Sequence, residues 1–209
     1  MDDVIIVGGG HVGLYLAWRL ARRGYKIALL DQKKNIGEHI VCTGIIGTEA
    51  FSRFDLPHDT IVGAIQRVRF FSPLNHYFDY DPPGLLAQVF ARTRFNRTFA
   101  ERATRHGARI GTSCRVDGVR VKKDGGVVKA SVSNAGERLF EAKILVLATG
   151  VNYKLFKGLG VQGPVGFLGG AQIEIPYTPE ERIYVYVGRE VAPGSFAWHN
   201  RASSCSFTT

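Results

Sequence analysis

The sequence predicts an α/β fold: a parallel sheet started by a βαβ unit, interrupted by a β-meander and followed by the start of an antiparallel sheet. Three observations carry this. Residues 4 to 31 read as an apolar run, a glycine turn, an amphipathic helix and a second apolar run. Residues 109 to 143 hold short strand-like runs separated by Asp124-Gly125-Gly126 and Asn134-Ala135-Gly136. Ile183 to Val187 alternates with the two-residue period of a half-buried strand.

The first unit is the most specific. Val4 to Val7 forms a strand, Gly8-Gly9-Gly10-His11-Val12-Gly13 a turn, and Leu14, Leu16, Ala17, Leu20 and Ala21 the apolar side of a helix. Lys26 to Leu30 is the second strand, and Asp31 follows 18 residues after Gly13. This is the spacing of a Rossmann-like dinucleotide-binding unit. Gly8 allows the tight turn, Gly10 lets the backbone approach a pyrophosphate, and Gly13 lets the helix pack closely on the sheet. N–H groups at the helix start face the phosphates. Asp31 is placed to accept hydrogen bonds from a ribose and disfavours a 2′-phosphate.

With 209 residues, 45% of them apolar and 22% charged, the chain has the composition of a globular protein with one sizeable core or a core plus a small second layer. No run approaches the roughly 18 apolar residues of a spanning helix. The N-terminus, Met1-Asp2-Asp3, lacks the positive region and apolar segment of a secretory signal, so a cytoplasmic location is expected. Cys42, Cys114 and Cys205 have no CxxC spacing, which argues against disulfides and a zinc site. The net charge of +9 has two readings, a solvated basic surface or contact with an anionic partner such as a membrane surface. There is no nucleic-acid motif.

Beyond Asp31 a polar turn leads into Ile40 to Gly47, rich in small residues. It suits either close approach to a flat ring or a buried loop. Ile65 to Phe71 and His76 to Tyr80, separated by Ser72-Pro73-Leu74-Asn75, predict a hairpin. After Pro82-Pro83-Gly84 a helix is expected from about Thr93 to His106, with Phe95, Phe99 and Ala103 as its apolar side and Gly107 as its cap. Its arginines either form a solvated face or bind lipid head groups. In the meander, Arg109 to Ser113 starts a strand, and Val116 to Lys122 and Val127 to Ser133 pair across a turn. Ile144 to Gly150 reads as a fully buried parallel strand returning beside the glycine turn. Ala171 to Ile175 and Ile183 to Val187 are expected in the antiparallel sheet, and the chain turns polar and aperiodic from His199 to Thr209.

These residues together resemble the N-terminal half of a geranylgeranyl reductase family flavoprotein, within the FAD-dependent oxidoreductases of the p-hydroxybenzoate hydroxylase fold. The glycine turn with Asp31 is similar to the group's FAD site. Cys42-Thr43-Gly44 resembles the family's cysteine loop beside the flavin ring. Ala91 to Asn96 is similar to its Asp-Arg-x-x-Phe-Asp pattern, with Ala91 and Asn96 in place of the two acids. Pro193-Gly194-Ser195-Phe196-Ala197-Trp198 resembles its Pro-Gly-Gly-Tyr-x-Trp motif, with Phe196 in place of Tyr. The resemblance covers residues 2 to about 198. The family continues further, with a strand and a Gly-Asp segment on the flavin's other side, so the change of character after Trp198 suggests a truncated chain or an altered reading frame.

The resemblance implies FAD as cofactor, held by Gly8, Gly10, His11, Val12, Gly13, Asp31, Gln32, Cys42, Thr43, Arg92, Val116, Thr149 and Gly150. Arg92 would meet the ribityl-pyrophosphate region and Val116 the adenine. Cys42 would lie beside the flavin with a part in catalysis, the alternative being a small buried hydrophobe. Phe196 and Trp198 would line a tunnel for an isoprenoid lipid or another apolar small molecule. No metal site is expected. The implied division is an FAD-binding domain at 1–160, with the 61–80 hairpin on the substrate side, a partial substrate sheet at 161–198 and an irregular tail at 199–209. The implied reaction is reduction of carbon–carbon double bonds in a prenyl chain, with electrons from a donor of unspecified type and peripheral membrane contact. Two alternatives stay open: an aromatic-ring monooxygenase of the same flavoprotein group, and a nucleotide-binding fragment without catalysis.

Overall fold

Residues 1–173 and 182–199 are described by the computed structural model. In chain order they form β1 (Asp2–Val7), α1 (His11–Ala21), β2 (Ile27–Leu30), β3 (Ile45–Gly47), α2 (Thr48–Arg53), β4 (Ile61–Ile65), β5 (Arg67–Phe71), β6 (Tyr77–Tyr80), β7 (Ala87–Phe90), α3 (Arg92–Arg105), β8 (Arg109–Gly111), β9 (Cys114–Lys122), β10 (Gly125–Val132), β11 (Gly136–Leu147), α4 (Lys154–Lys157), β12 (Arg182–Val187) and β13 (Phe196–His199). The chain divides into two units, Met1–Ile40 with Thr93–Val165 and Val41–Arg92 with Gly166–Thr209. The sequence-based division at residue 160 differs, since all of Val41–Arg92, and not the 61–80 hairpin alone, falls in the second unit.

The first unit is built on a six-stranded sheet of order β8-β2-β1-β11-β10-β9. Pairs β8/β2, β2/β1 and β1/β11 are parallel, and β11/β10 and β10/β9 antiparallel. All of Val4 to Val7 and Ile27 to Leu30 is buried, as expected for central strands covered on both faces. On one face α1 lies on β1 and β2. α3 joins it through aromatic rings, with Phe99 5.5 Å from both Tyr15 and Trp18 and 5.0 Å from Phe95. On the other face Ile5, Val7, Ala28 and Leu30 pack with Cys114, Val128, Ala130 and Ala142, so the meander closes that side. Burial holds the Cys114 thiol above its ordinary pKa, with the nearby Asp117 charge adding to the effect.

α3 follows its predicted span to within one residue, with Phe95, Phe99 and Ala103 buried and Gly107 left-handed at φ +90°. The strands of the meander also match their predicted segments, with a two-residue turn between Lys122 and Gly125. Two expectations are corrected here. The strand starting at Arg109 is no part of the meander, because β8 runs parallel to β2 at the other edge of the sheet. The run from Ile144 is the end of one long strand, β11, and is not fully buried: Ile144 is 57% exposed. Its register partner Val4 is 4% exposed. The difference is cover: α1 lies over β1 and β2.

The second unit holds two sheets. One has order β3-β7-β4 and is antiparallel throughout. Phe51 of α2 packs edge-on against Phe90 of β7, with ring centres 6.2 Å apart. These three short strands and α2 are not evident in the sequence. The other sheet has order β13-β12-β5-β6. Its β5/β6 hairpin is the predicted one, turning at Asn75 with φ +61°, although Ile65 belongs to β4. The sheet is mixed and not antiparallel throughout, because β12 pairs parallel with β5 and antiparallel with β13. Of the strand expected at 171–175, residues 171–173 lie in no regular element and 174–175 fall outside the described residues, as does the expected tail beyond His199. Among the described residues no helix is long and apolar enough to cross a membrane.

Phe99 joins the two helices and is fully buried. Phe99→Ala is expected to destabilise the protein by about 3–5 kcal/mol, whereas Leu139→Ala, at a 70% exposed position, should change stability by less than about 0.5 kcal/mol. Urea denaturation followed by circular dichroism distinguishes the two.

Candidate dinucleotide-binding site

The glycine turn connects β1 to α1 at the carboxyl edge of the parallel strands, where ligands bind in open α/β sheets. Gly8 has φ +114°, and a Cβ there would collide with the Ala148 carbonyl at the end of β11. Gly13 permits the closest approach in the turn, since a Cβ would run into the Gly8 carbonyl oxygen. Gly10 differs from both. It has an ordinary φ of −74°, and a Cβ there would meet nothing within 4 Å. Open space in front of Gly10, with no side-chain cap on the first turn of α1 and no acid in it, is the cradle a pyrophosphate requires.

Asp31 is held beside this turn from several sides. One carboxylate oxygen accepts from the Gly9 N–H at 2.5 Å and the other from the Lys33 N–H at 2.8 Å. The Asp31 N–H donates to the Gly111 carbonyl at 2.8 Å, and the Asp31 carbonyl accepts from the Cys114 N–H at 2.9 Å. These bonds set the carboxylate at the mouth of the turn and the start of β9 next to it. A carboxylate has about four acceptor sites, so these two bonds leave capacity for ribose hydroxyls. Ala148 N–H donates to the Val7 carbonyl at 2.8 Å, which brings Thr149 and Gly150 to the same edge. The Thr149 hydroxyl donates to the Asn152 carbonyl at 2.7 Å, fixing that side of the opening.

The structure thus brings together Gly8, Gly10, Gly13, Asp31 and Thr149. His11, Val12 and Gln32 are exposed around the turn. Val116 is half-buried on the edge strand β9, opposite Ala130. The sequence reading missed the Gly9 N–H as the Asp31 partner, and the clamp in which the Ser113 N–H donates to the Lys33 carbonyl at 2.8 Å and the Cys114 N–H to the Asp31 carbonyl, with Ser113 left-handed at φ +51°.

Cys42, Thr43 and Arg92 belong to the second unit. Gly44 has φ +70°, and its carbonyl accepts from the Phe90 N–H at 2.8 Å. A Cβ on Gly44 would lie 3.3 Å from Arg92 Cγ, so the Thr43-Gly44 segment and the Arg92 stem are neighbours. The Arg92 guanidinium lies 5.4 Å from the Phe90 ring centre. Cys42 is exposed, which removes the buried-hydrophobe reading. Phe196 and Trp198 are 50% and 36% exposed on β13, with ring centres 5.7 Å apart. Among the described residues no cluster of three His, Cys, Asp or Glu side chains is placed to hold a metal ion.

The model of the pyridine nucleotide-disulphide oxidoreductase family matches residues 2–173. The chain belongs to this family. Within the pyridine nucleotide-disulphide oxidoreductases it is similar to the digeranylgeranylglycerophospholipid reductase of Methanosarcina acetivorans, with 26% identity over 94% of this chain and 50% of that protein. The chain therefore spans about half the length of the relatives it matches. Among solved structures, a geranylgeranyl bacteriochlorophyll reductase-like protein of Thermoplasma acidophilum superposes with a TM-score of 0.81 at 18% identity, covering 97% of this chain and 54% of that one. The halogenase PltM, solved with phloroglucinol and FAD, gives a TM-score of 0.63 at 22% identity, covering 79% and 37%. Both share the fold of this oxidoreductase chain.

The glycine geometry separates ligand binding from folding. Gly10→Val is expected to leave the melting temperature within about 2 °C while abolishing nucleotide binding. Gly13→Ala should lower the melting temperature, because α1 must move off β1. Thermal melts with and without added FAD provide the comparison.

Proposed function

We propose that this chain carries the FAD-binding half of a flavin-dependent reductase acting on the carbon–carbon double bonds of an isoprenoid lipid. FAD as the bound group is supported by the open cradle at Gly10, the Asp31 carboxylate, the family and the FAD-bound neighbour PltM. The reductase names of the relatives support the lipid.

The observation that carries the substrate class is the pattern of the mixed sheet in the second unit. Phe78, Phe70, Val185 and Trp198 are directly opposite one another on successive strands and form one row across it. The flanking rows on the same face are Tyr80, Val68 and Ile183 on one side and Val187 and Phe196 on the other. Among the described residues this face carries no charged side chain. The opposite face holds the ions: Arg69 donates twice to Asp79, at 2.7 and 2.8 Å, and Arg182 approaches Asp79 at 3.7 Å. The bonds from Arg69 hold the Asp79 carboxyl below its ordinary pKa. An extended apolar face with Phe78 62% and Phe196 50% exposed suits a long hydrocarbon, which gains roughly 0.8 kcal/mol for each methylene removed from water.

In this reading the Gly8 to Gly13 turn and the α1 N-terminus hold the pyrophosphate, and Asp31 holds the ribose. Val116 meets adenine with its backbone. Arg92 meets the ribityl-pyrophosphate region, and Cys42 and Thr43 flank the ring. The Phe78 to Trp198 row aligns the prenyl chain and excludes water. Once reduced by two electrons from a donor, the bound flavin would supply the hydride that alkene reduction needs, with the second hydrogen arriving as a proton.

The first test is the visible spectrum of the purified chain after incubation with FAD and desalting. Flavin bands are expected in the wild type and absent in Gly10→Val; a colourless wild type would remove the cofactor assignment for this chain. The second is anaerobic incubation of the flavin-loaded chain with dithionite and a geranylgeranyl lipid. Mass spectrometry should record two added hydrogens per double bond, with a reduced yield for Trp198→Ala. In a separate aerobic incubation with NAD(P)H and an aromatic substrate, oxygen incorporation, together with no reduction of the prenyl lipid in the anaerobic one, would decide for a monooxygenase.

A further inference from the structure

We propose that Lys33 is a positioning residue for the dinucleotide site, tying down residues 34–39 so that Ile36 closes on Gly9 beside the Asp31 carboxylate. The proposal deepens the reading of the glycine turn as a nucleotide cradle and rests on it. It concerns the adenosine ribose, and so applies to any adenine dinucleotide, FAD included.

Every polar group of Lys33 is engaged. Its N–H donates to one Asp31 oxygen at 2.8 Å, and its carbonyl accepts from the Ser113 N–H at 2.8 Å. Its ammonium donates to the Glu38 carbonyl at 2.7 Å and, more weakly, to the His39 carbonyl at 3.3 Å. The main chain of Lys33 is thus fixed to the ribose acid and to the start of β9, while its side chain reaches forward and closes a loop. His39 is left-handed at φ +49°. A residue with a side chain keeps that conformation only where its surroundings hold it, and the ammonium bonds the carbonyls on both sides of the His39 Cα.

The middle of the loop is fastened to α3. The Thr93 hydroxyl donates to the Gly37 carbonyl at 2.8 Å, and Arg97 Nε donates to the Ile36 carbonyl at 3.4 Å. Gly37 is buried with φ +87°, and a Cβ on it would strike the Thr93 carbonyl. Held from both directions, the loop turns Ile36 onto the glycine turn. A Cβ on Gly9 would lie 2.9 Å from Ile36 Cδ1 and 3.0 Å from both Asp31 Cβ and Asp31 Oδ2. Ile36 and Asp31 therefore stand together over the Cα of Gly9, whose N–H donates to Asp31.

The consequence for a ligand is preorganisation. A carboxylate that accepts ribose hydroxyls must give up water and keep one orientation, and both costs fall when an apolar side chain covers one flank before the ligand arrives. Ile36 is that cover, and Lys33 keeps it in place. The ammonium is directed at loop carbonyls, so its part is to position the loop and not to pair with a phosphate.

The test is calorimetric titration of the full chain with ADP and, separately, with FAD. Lys33→Met should weaken the binding of both about tenfold, by the same factor at about 0.05 M and about 0.5 M salt. Lys33→Arg, which keeps a donor for the carbonyls, should recover most of the loss. Ile36→Ala should show a loss of similar size. Because Lys33 acts through Ile36, the double variant should bind no more weakly than the weaker single one. Without ligand, trypsin should cut after Lys34 faster in Lys33→Met than in the wild type, while the melting temperature stays within about 2 °C. Wild-type affinity in Lys33→Met, or additive losses in the double variant, would overturn the proposal. A loss confined to low salt would overturn it in favour of a direct phosphate contact. Binding of neither ADP nor FAD by the wild type would overturn the nucleotide reading itself, and this proposal with it.

Discussion

The contact on which the first unit depends is the one between Gly13 and the Gly8 carbonyl, where helix and strand backbones meet with no side chain between them. It sets the height of α1 above β1. That height fixes where Leu14, Ala17 and Trp18 enter the core, and Trp18 in turn receives α3 through Phe99. The same contact aims the first turn of α1 at the space in front of Gly10. Packing and ligand geometry therefore have one origin. The Asp31 carboxylate is fixed from the other direction, by main-chain bonds to Gly111 and Cys114, so the cradle is framed by the helix on one side and the meander on the other.

The mixed sheet of the second unit follows a different rule: among the described residues its charged groups are confined to one face, beside the rings of Phe71, Tyr184 and Tyr186. Arg69, Asp79 and Arg182 lie on one face and Phe70, Phe78, Val185 and Trp198 on the other. A one-residue slip of β6 against β5 would bring the Asp79 carboxylate into the aromatic row and Phe78 among the arginines. Register is thus strongly specified even where both faces are partly exposed. The Arg69–Asp79 pair is only partly shielded from solvent. It contributes modestly to stability, and its larger effect is on specificity of pairing.

What the sequence made legible, it made legible through residues with one dominant constraint. Gly8, Gly10, Gly13 and Asp31 each announce a backbone or charge requirement. The four-residue spacing of Phe95, Phe99 and Ala103, stopped by Gly107, marks a helix almost to the residue. Relations between distant segments were harder to read. β3, β4 and β7 are three to five residues long, too short for a period, and their sheet exists only because residues 45–47 meet 87–89. The alternation of Ile183 to Val187 reveals a strand but carries no information about direction, so its parallel pairing with β5 was not foreseeable. Ile144 is apolar like Val4 beside it, and composition alone does not say that one is buried and the other exposed. In the site, Asp31 was legible and its Gly9 partner was not, because a backbone donor leaves no residue-type signature.

β11 pairs antiparallel with the meander along its first half and parallel with β1 along its second. The centre of the parallel sheet is therefore completed by residues far along the chain: Asp3 and Lys143, joined across it, are 140 residues apart. At the usual 5–20 residues per second, β1 waits roughly 7–30 s on the ribosome before its second neighbour is synthesised. During that interval one of the most apolar strands in the protein has an open edge. The nascent chain is then a natural client for a chaperone. The sooner the ribosome reaches residue 147, the shorter the time for which that edge is open to aggregation.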